Sequence, residues 1–351
     1  MLDRSIMVPP RVELVDKIGY GSMSLTVASS SLSLDEAVGI LNYVTHRYGV
    51  KSINGGIFYG PDDKNLKVLK KFLESNEASF NSNLVLCIKG AFNMVERQPE
   101  GNEEGVKKSV DKVLSFFPKN VGRPKLIFEA ARVDPKVPYE TTISAIALYV
   151  EKGLLDGVSV SEVGAHTIAK ADNVFPISFA EVELSLLSRD IIYNGVLREC
   201  SERNIPIVAY SPLHRAILTD HAVENSHSFL ELLHESDMRR HFDRFSKDNF
   251  DANFNMVKEL YDFAHERKMS LEGLAMSWIL KLSGHEHFNG IKKVCKIIPI
   301  PSGSATTKID RNFTSTIELS DKDFAEINNI CDRHKVHGHR YNAHHTPLEF
   351  A

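Results

Sequence analysis

Cysteine is scarce. Cys87, Cys200, Cys295 and Cys331 lie so far apart that no pair has metal-ligand or redox spacing, which leaves four reduced thiols, Cys87 among them inside a strand. Long apolar runs are also missing. The longest, such as LAMSWIL, fall far short of the roughly 20 residues a membrane helix needs. The opening MLDRSIMVPPRVE lacks the apolar stretch of a signal peptide. Neither sign of charge dominates: 42 Lys and Arg against 46 Asp and Glu give a net −4. That balance offers no electrostatic footprint for nucleic acid or an anionic membrane. No Pro/Gly/Ser linker, internal repeat or low-complexity tract divides the 351 residues. One domain is therefore expected over 1–351, with a core of about 17–332 and a tail, 333–351, on its rim. The expected compartment is the cytoplasm, with the nucleus as a second one; the oligomeric state is left open.

Several chemical signatures are absent too. GYGSMS begins like a dinucleotide fingerprint but lacks its third glycine, and no acid follows at a second strand end. There is no GK[ST] phosphate loop and no G-x-S-x-G elbow. The tail RHKVHGHRYNAHH carries five histidines without zinc-ligand spacing, and reads as a mobile or rim-covering segment. No metal site is expected.

What is present is alternation. SLDEAVGILNYVTHRYG opens with Ser33 as N-cap and Glu36 at N3, a capping box, and stops at Gly49. VKSIN reads as a strand, DDKNLKVLKKFLE as an amphipathic helix with acids in its first turn, and NLVLCIK as a strand. The same pattern continues through KLIFEAA, LLDGVSVS, ISFAEVEL, IPIVAYSP and CKIIPIP, each followed by a helical segment. RDIIYNGVLRECSERN reads as one helix, Leu213 to Asn253 as a long connection before FNMVKELYDFAHERK, and SDKDFAEINNICDR as a C-terminal helix capped by Ser320. Eight strand–helix units in one chain predict an α/β fold, a (β/α)8 TIM barrel with a C-terminal extra helix and rim loops; a doubly wound sheet is the alternative. The strands are near-continuous apolar runs, as burial on both faces requires. Their C-terminal ends carry the unusual residues: Gly21, Ser22, Asn54, Lys89, Ala131, Ser161, Glu162, Glu183, Tyr210, Ser211, Ser302 and Ser304. In a barrel all of these share one rim, where active sites are built.

In INGGIFYGP, LCIKGAF, SEVGAHTI, EVELSLLSRDI, IPIVAYSPLHRAILT and IIPIPSGSATTKIDRN, in that order from about Lys17 to Tyr341, the sequence resembles the aldo-keto reductase superfamily. NGGIFYGPD and FEAARVD bring it nearest to the fungal pyridoxal reductases within it. The resemblance implies a barrel that binds NADPH in extended form, without a Rossmann domain, and reduces a small-molecule aldehyde to an alcohol. It implies Tyr59 as proton donor and Lys89 as its cationic partner. Two residues depart from the family: Asn54 replaces the usual aspartate, and Ala131 the usual histidine. An amide leaves the full charge on Lys89, so Asn54 is expected to orient Lys89 while Tyr59 feels a stronger positive field, its pKa drawn from about 10 toward the working range. Ala131 is expected to leave room for a substrate ring whose own phenolic hydroxyl supplies the missing donor.

For the cofactor, the resemblance implies Gly21 and Ser22 at the first strand end, Ser161 and Glu162 around the carboxamide, Glu181 where glutamine is common, and Tyr210 stacked on nicotinamide. Ser211 and Leu213 fall in the loop over the pyrophosphate. Ser302, Gly303 and Ser304 precede a helix N-terminus suited to phosphate. Lys308 matches the residue that holds the 2′-phosphate and Asn312 the one that meets adenine. Ser304 and Arg311 depart from the usual pattern and imply a modest preference for NADPH over NADH. The tail around Gly338 to Tyr341 and the Leu213–Asn253 segment are expected to shape the pocket. Two other readings fit the same residues: a broad aldehyde and ketone reductase, and a cofactor-binding redox sensor with weak catalysis.

Overall fold

A computed structural model describes residues 10–27, 32–120, 122–342 and 346–351. Eight parallel strands form one sheet in chain order: β1 (Tyr20–Gly21), β2 (Ser52–Gly56), β3 (Val85–Gly90), β4 (Lys125–Ala130), β5 (Gly157–Ser161), β6 (Ile177–Glu183), β7 (Ile207–Tyr210) and β8 (Ile297–Pro299). Backbone bonds from Gly19 N to Pro299 O, 3.0 Å, and from Gly21 N to Pro301 O, 3.3 Å, join the first strand to the last. The sheet is a barrel, as the alternation predicts. Side chains such as Cys87, Ile127, Phe179 and Ile298 form one buried cluster with Val12 and Leu14 of the N-terminal segment. A larger cluster packs the sheet against the helices.

Local sequence explains the helix ends. In α1 (Leu34–Tyr48) Ser33 Oγ accepts from Glu36 N while Glu36 Oε2 accepts from Ser33 N, and Gly49 closes the helix at φ +67°. The helix after β2, α2, starts at Lys64, so Asp62 and Asp63, both at positive φ, precede it instead of filling its first turn. RDIIYNGVLRECSERN is not one helix: Gly195 at φ +90° splits it into Asp190–Tyr193 and Val196–Glu202. The connection after β7 is shorter than expected, because Ser246 opens a helix, Lys247–Glu266, that absorbs its last residues. The C-terminal helix, Asp321–Arg333, is capped by Ser320, whose Oγ accepts from Asp323 N at 3.0 Å. Two small antiparallel hairpins, Phe92–Asn93 with Gln98–Pro99 and Glu286–Phe288 with Ile291–Lys293, break the simple alternation.

The histidine-rich tail covers the rim. His334 bonds Glu259, His337 exchanges two bonds with Asn253, and Tyr341 O accepts from Asp243 N at 2.6 Å. His344 and His345 lie outside the described residues. Among the described residues, no helix is long and apolar enough to cross a membrane.

Candidate active site

The register of the barrel assembles the site. Parallel pairing sets Gly56 opposite Lys89, Lys89 opposite Glu129, and Ser161 opposite Glu181. Residues paired in register point to the same face, so these polar groups meet inside the rim. Two glycines prepare the place of Tyr59. A Cβ on Gly56 would sit 3.0 Å from the Tyr59 ring, so the ring lies directly against the strand end. Gly60, at φ +99°, turns the chain where a Cβ would come 2.1 Å from Thr26 O. Phe58 meets the Tyr59 ring edge-on at 5.4 Å.

Lys89 is buried, and it is not left un-neutralised. Its Nζ lies 2.8 Å from Glu181 Oε1 and 3.1 Å from Glu129 Oε1, and it donates to Ser161 Oγ at 3.1 Å. Burial works against the ammonium, but the two carboxylates outweigh it and hold its pKa well above the ordinary range. Asn54 does not bond Lys89. Its Nδ2 donates to Glu181 Oε2 at 2.5 Å, so the amide steadies the counter-ion and not the ammonium. The negative charge missing from position 54 is supplied by other strands.

Tyr59 is correspondingly different from the sequence expectation. Burial pushes its phenol above the ordinary value; Lys89 opposes this, while Glu181 and Glu129 add to it. The group is a neutral, desolvated phenol beside a compensated cation. Glu129 was not singled out in the sequence, although an acid inside the apolar strand KLIFEAA is a visible signal. Its Oε2 accepts from Ser159 Oγ at 2.9 Å, and burial, with the Glu181 carboxylate, pushes its carboxyl up to about 8 against the pull of Lys89.

Tyr59 and Lys89 line a cavity of about 500 Å³, together with Gly21, Asn54, Ala131, Glu181, Tyr210, Ser211, Leu213, Ser302, Gly303, Ser304, Lys308 and Tyr341. Fourteen expected residues therefore share one space. The loop after β7 and the segment before the Lys247–Glu266 helix add Arg215, Asp237, Met238, Arg239 and Phe242. Ala131 is accompanied by Arg132, whose place beside the substituted histidine position is its only signal in the sequence.

Four expected residues do not line the cavity. Ser22 Oγ donates to Asn54 O at 2.7 Å, Ser161 is held by Lys89, and Asn312 Nδ2 donates to Ser302 O at 3.1 Å. These act behind the wall. Glu162 is held differently. It is fully buried at φ +55°, accepts from Glu183 N, and binds the Arg340 guanidinium through both oxygens at 2.6 and 3.2 Å. A carboxylate bound in this way fastens the tail, with three of its roughly four acceptor sites taken. Arg340 also reaches Glu349 at 2.9 Å and Glu183 at 3.6 Å, so the chain beside Tyr341 is anchored by a buried ionic cluster. Tyr341 OH then meets Tyr210 OH at 2.9 Å.

One end of the cavity has the chemistry of a phosphate site. The helix Thr306–Thr314 has no side-chain cap at Ala305 and follows directly on the loop that carries Ser302, Gly303 and Ser304. A Cβ on Gly303 would stand 3.1 Å from Ile309 Cγ1, which is why this loop can press against the helix start. Uncapped amides, two hydroxyls and Lys308 suit a phosphate. Gly21 lets the first strand end pack against the start of the same loop, since a Cβ there would lie 3.0 Å from Ile300 O.

Comparison with known proteins agrees with this architecture. Residues 17–332 match the model of the aldo/keto reductase family. The chain is 32% identical, over 93% of its length and 95% of the relative's, to a Schizosaccharomyces pombe protein named probable pyridoxal reductase 2. It is 30% identical over 70% of each chain to the aldo-keto reductase yakc [NADP(+)] of the same yeast. The fold matches the glycerol dehydrogenase of Gluconobacter oxydans with a TM-score of 0.75 at 15% identity, covering 95% and 96% of the two chains. With the barrel, the rim cavity and the family match over most of its length, the chain belongs to the aldo/keto reductase family.

Proposed function

We propose that this protein reduces the aldehyde of pyridoxal to the alcohol of pyridoxine, with NADPH as cofactor and Tyr59 as proton donor. The observation that carries the reading is the buried Tyr59 phenol and the compensated Lys89 ammonium on the wall of one cavity. The name of the fungal relative supports the substrate, and that of the NADP(+) relative the nucleotide. Gly21, Tyr210, Ser211, Leu213, Ser302, Gly303, Ser304 and Lys308 would hold the cofactor, with Ser22, Ser161 and Asn312 bracing them from behind. When bound, the reduced nicotinamide supplies a hydride to the carbonyl carbon. Tyr59 keeps its proton until negative charge develops on the substrate oxygen. An alkoxide is a stronger base than a phenolate, so even a phenol of raised pKa gives up its proton to it. Lys89 then faces the phenolate left behind. In the reverse direction a phenolate must form before reaction, which burial disfavours, so the site favours reduction. Glu181 and Asn54 hold Lys89 in place through the 2.8 and 2.5 Å contacts.

The test is NADPH oxidation with pyridoxal by wild type and Tyr59→Phe. Loss of about 10²–10⁴ in kcat, with cofactor binding retained, is the expected result. Tight NADPH binding by wild type without turnover of any carbonyl favours the sensor reading instead. The aromatic lining by Phe58, Phe92 and Phe242 favours a second reading, a broad aldehyde reductase; equal kcat/KM for pyridoxal and benzaldehyde would select it.

A further inference from the structure

The guanidinium groups on the cavity wall are not alike. Arg239 is held by Asp237 at 2.6 and 2.9 Å, and Arg215 reaches Glu183 at 3.2 Å. Arg132 has no carboxylate within ion-pair distance among the described residues. Its Nη1 donates to Ala131 O at 2.6 Å, and its Nη2 reaches Tyr341 OH at 3.4 Å. A guanidinium carries five N–H donors, so these two contacts leave most of its capacity unused. Its charge is half-buried; burial weighs against it and Arg340 opposes it, but Tyr341, Tyr210 and the more distant Glu162 carboxylate favour it and hold its pKa above the ordinary value. A half-buried guanidinium on a cavity wall, with no carboxylate in contact, keeps N–H groups free for an anionic ligand. Arg132 follows Ala131, at the strand end where the family's histidine side chain is gone.

We propose that Arg132 binds an anionic oxygen of the substrate, so that the cavity selects aldehydes whose ring also carries an ionised oxygen (a phenolate, carboxylate or phosphate). This rests on the carbonyl-reductase reading and deepens it. The direction of the contact is opposite to the one expected from the sequence. The ring oxygen accepts from the protein and does not donate to its own carbonyl. A planar fork can grip such an oxygen through two N–H groups, which a histidine cannot.

The experiment compares kcat/KM for 4-carboxybenzaldehyde, pyridoxal and pyridoxal 5′-phosphate with that for uncharged benzaldehyde. Wild type is expected to prefer the anionic aldehydes by about tenfold or more, and the arm with the largest preference identifies which anion fits. In Arg132→Met the preference falls by about tenfold to a hundredfold, chiefly through KM; Arg132→Lys, which keeps the charge, retains part of it. A wild type without preference, or a ratio unchanged in Arg132→Met, overturns the proposal. Binding of benzoate, followed by calorimetry, separates this from the activity itself. If no aldehyde is turned over but benzoate binds about tenfold more weakly to Arg132→Met, the anion site stands and the reductase reading falls. Benzoate affinity equal in both proteins removes the anion site.

Discussion

Returning an aspartate to position 54 looks like a repair toward the rest of the family, but the structure makes it a lesion. Asn54 Nδ2 donates to Glu181 Oε2 at 2.5 Å. Asn54→Asp replaces that donor with a second carboxylate, and two carboxylates at such a distance cannot both ionise. Holding a proton on a carboxyl of ordinary pKa near 4 costs about 4 kcal/mol at pH 7, since each pH unit is worth about 1.4 kcal/mol. By the same scale the penalty is about 1.4 kcal/mol at pH 5 and is gone near pH 4. Average unfolding entropies give a chain of 351 residues about 0.7 kcal/mol per kelvin. Asn54→Asp should therefore lower Tm by roughly 5 °C at pH 7 and roughly 2 °C at pH 5. Differential scanning calorimetry between pH 5 and 8 reads both. Adding Glu181→Gln removes the like charge and leaves Lys89 the carboxylate at position 54 as its counter-ion, so the double variant should recover most of the loss. A Tm at pH 8 within a degree of wild type, or a Glu181→Gln effect of equal size in both backgrounds, would refute the argument.

Two further predictions concern the buried charges. Arg340→Met strands Glu162 in the interior and should cost about 3–5 kcal/mol, roughly 4–7 °C in Tm. Burial opposes ionisation of Glu162 and Glu183, but Arg340 beside the first, and Arg215 with Arg340 beside the second, hold both pKa values below the ordinary carboxylate range. The stability they give is present above the unfolded glutamate value of about 4.3 and lost as pH falls through the lower folded values, so Arg340→Met should flatten the acid limb of a Tm–pH profile. Glu129 has the opposite sign. With a folded pKa raised to about 8, it holds a proton that the unfolded chain has released, so stability falls as pH rises from about 4.3 toward 8. Glu129→Gln should gain on wild type across that window in the same profile; a constant offset would show that Glu129 is not the titrating group.

Much of the site is legible in the sequence because it rests on local signals. Capping residues, glycine stops and apolar runs mark the strand–helix units, and the strand ends then mark the rim. Tyr59, Lys89, Tyr210 and the Ser302–Ser304 loop follow from that. What escapes is set by contacts between distant strands. Nothing near Lys89 in the chain announces Glu129 or Glu181 as its partners; the register between neighbouring strands does. Glu162 stands at a strand end like the others, and only the fold reveals that Arg340, 178 residues later, already occupies it. The split at Gly195 was also hidden, because the apolar pattern runs on through it.

The ring of strands also changes how such a site is compared with its relatives. Matched position by position, residue 54 appears to have lost an acid. Yet every strand of a barrel faces the same axis, so what Lys89 senses is the sum over the wall and not the identity of one neighbour. Charge can migrate around the barrel, from β2 to the Glu181 carboxylate on β6, while the potential at the centre is kept. An inventory of charge within a few ångströms of Lys89 describes this site better than any single column of an alignment.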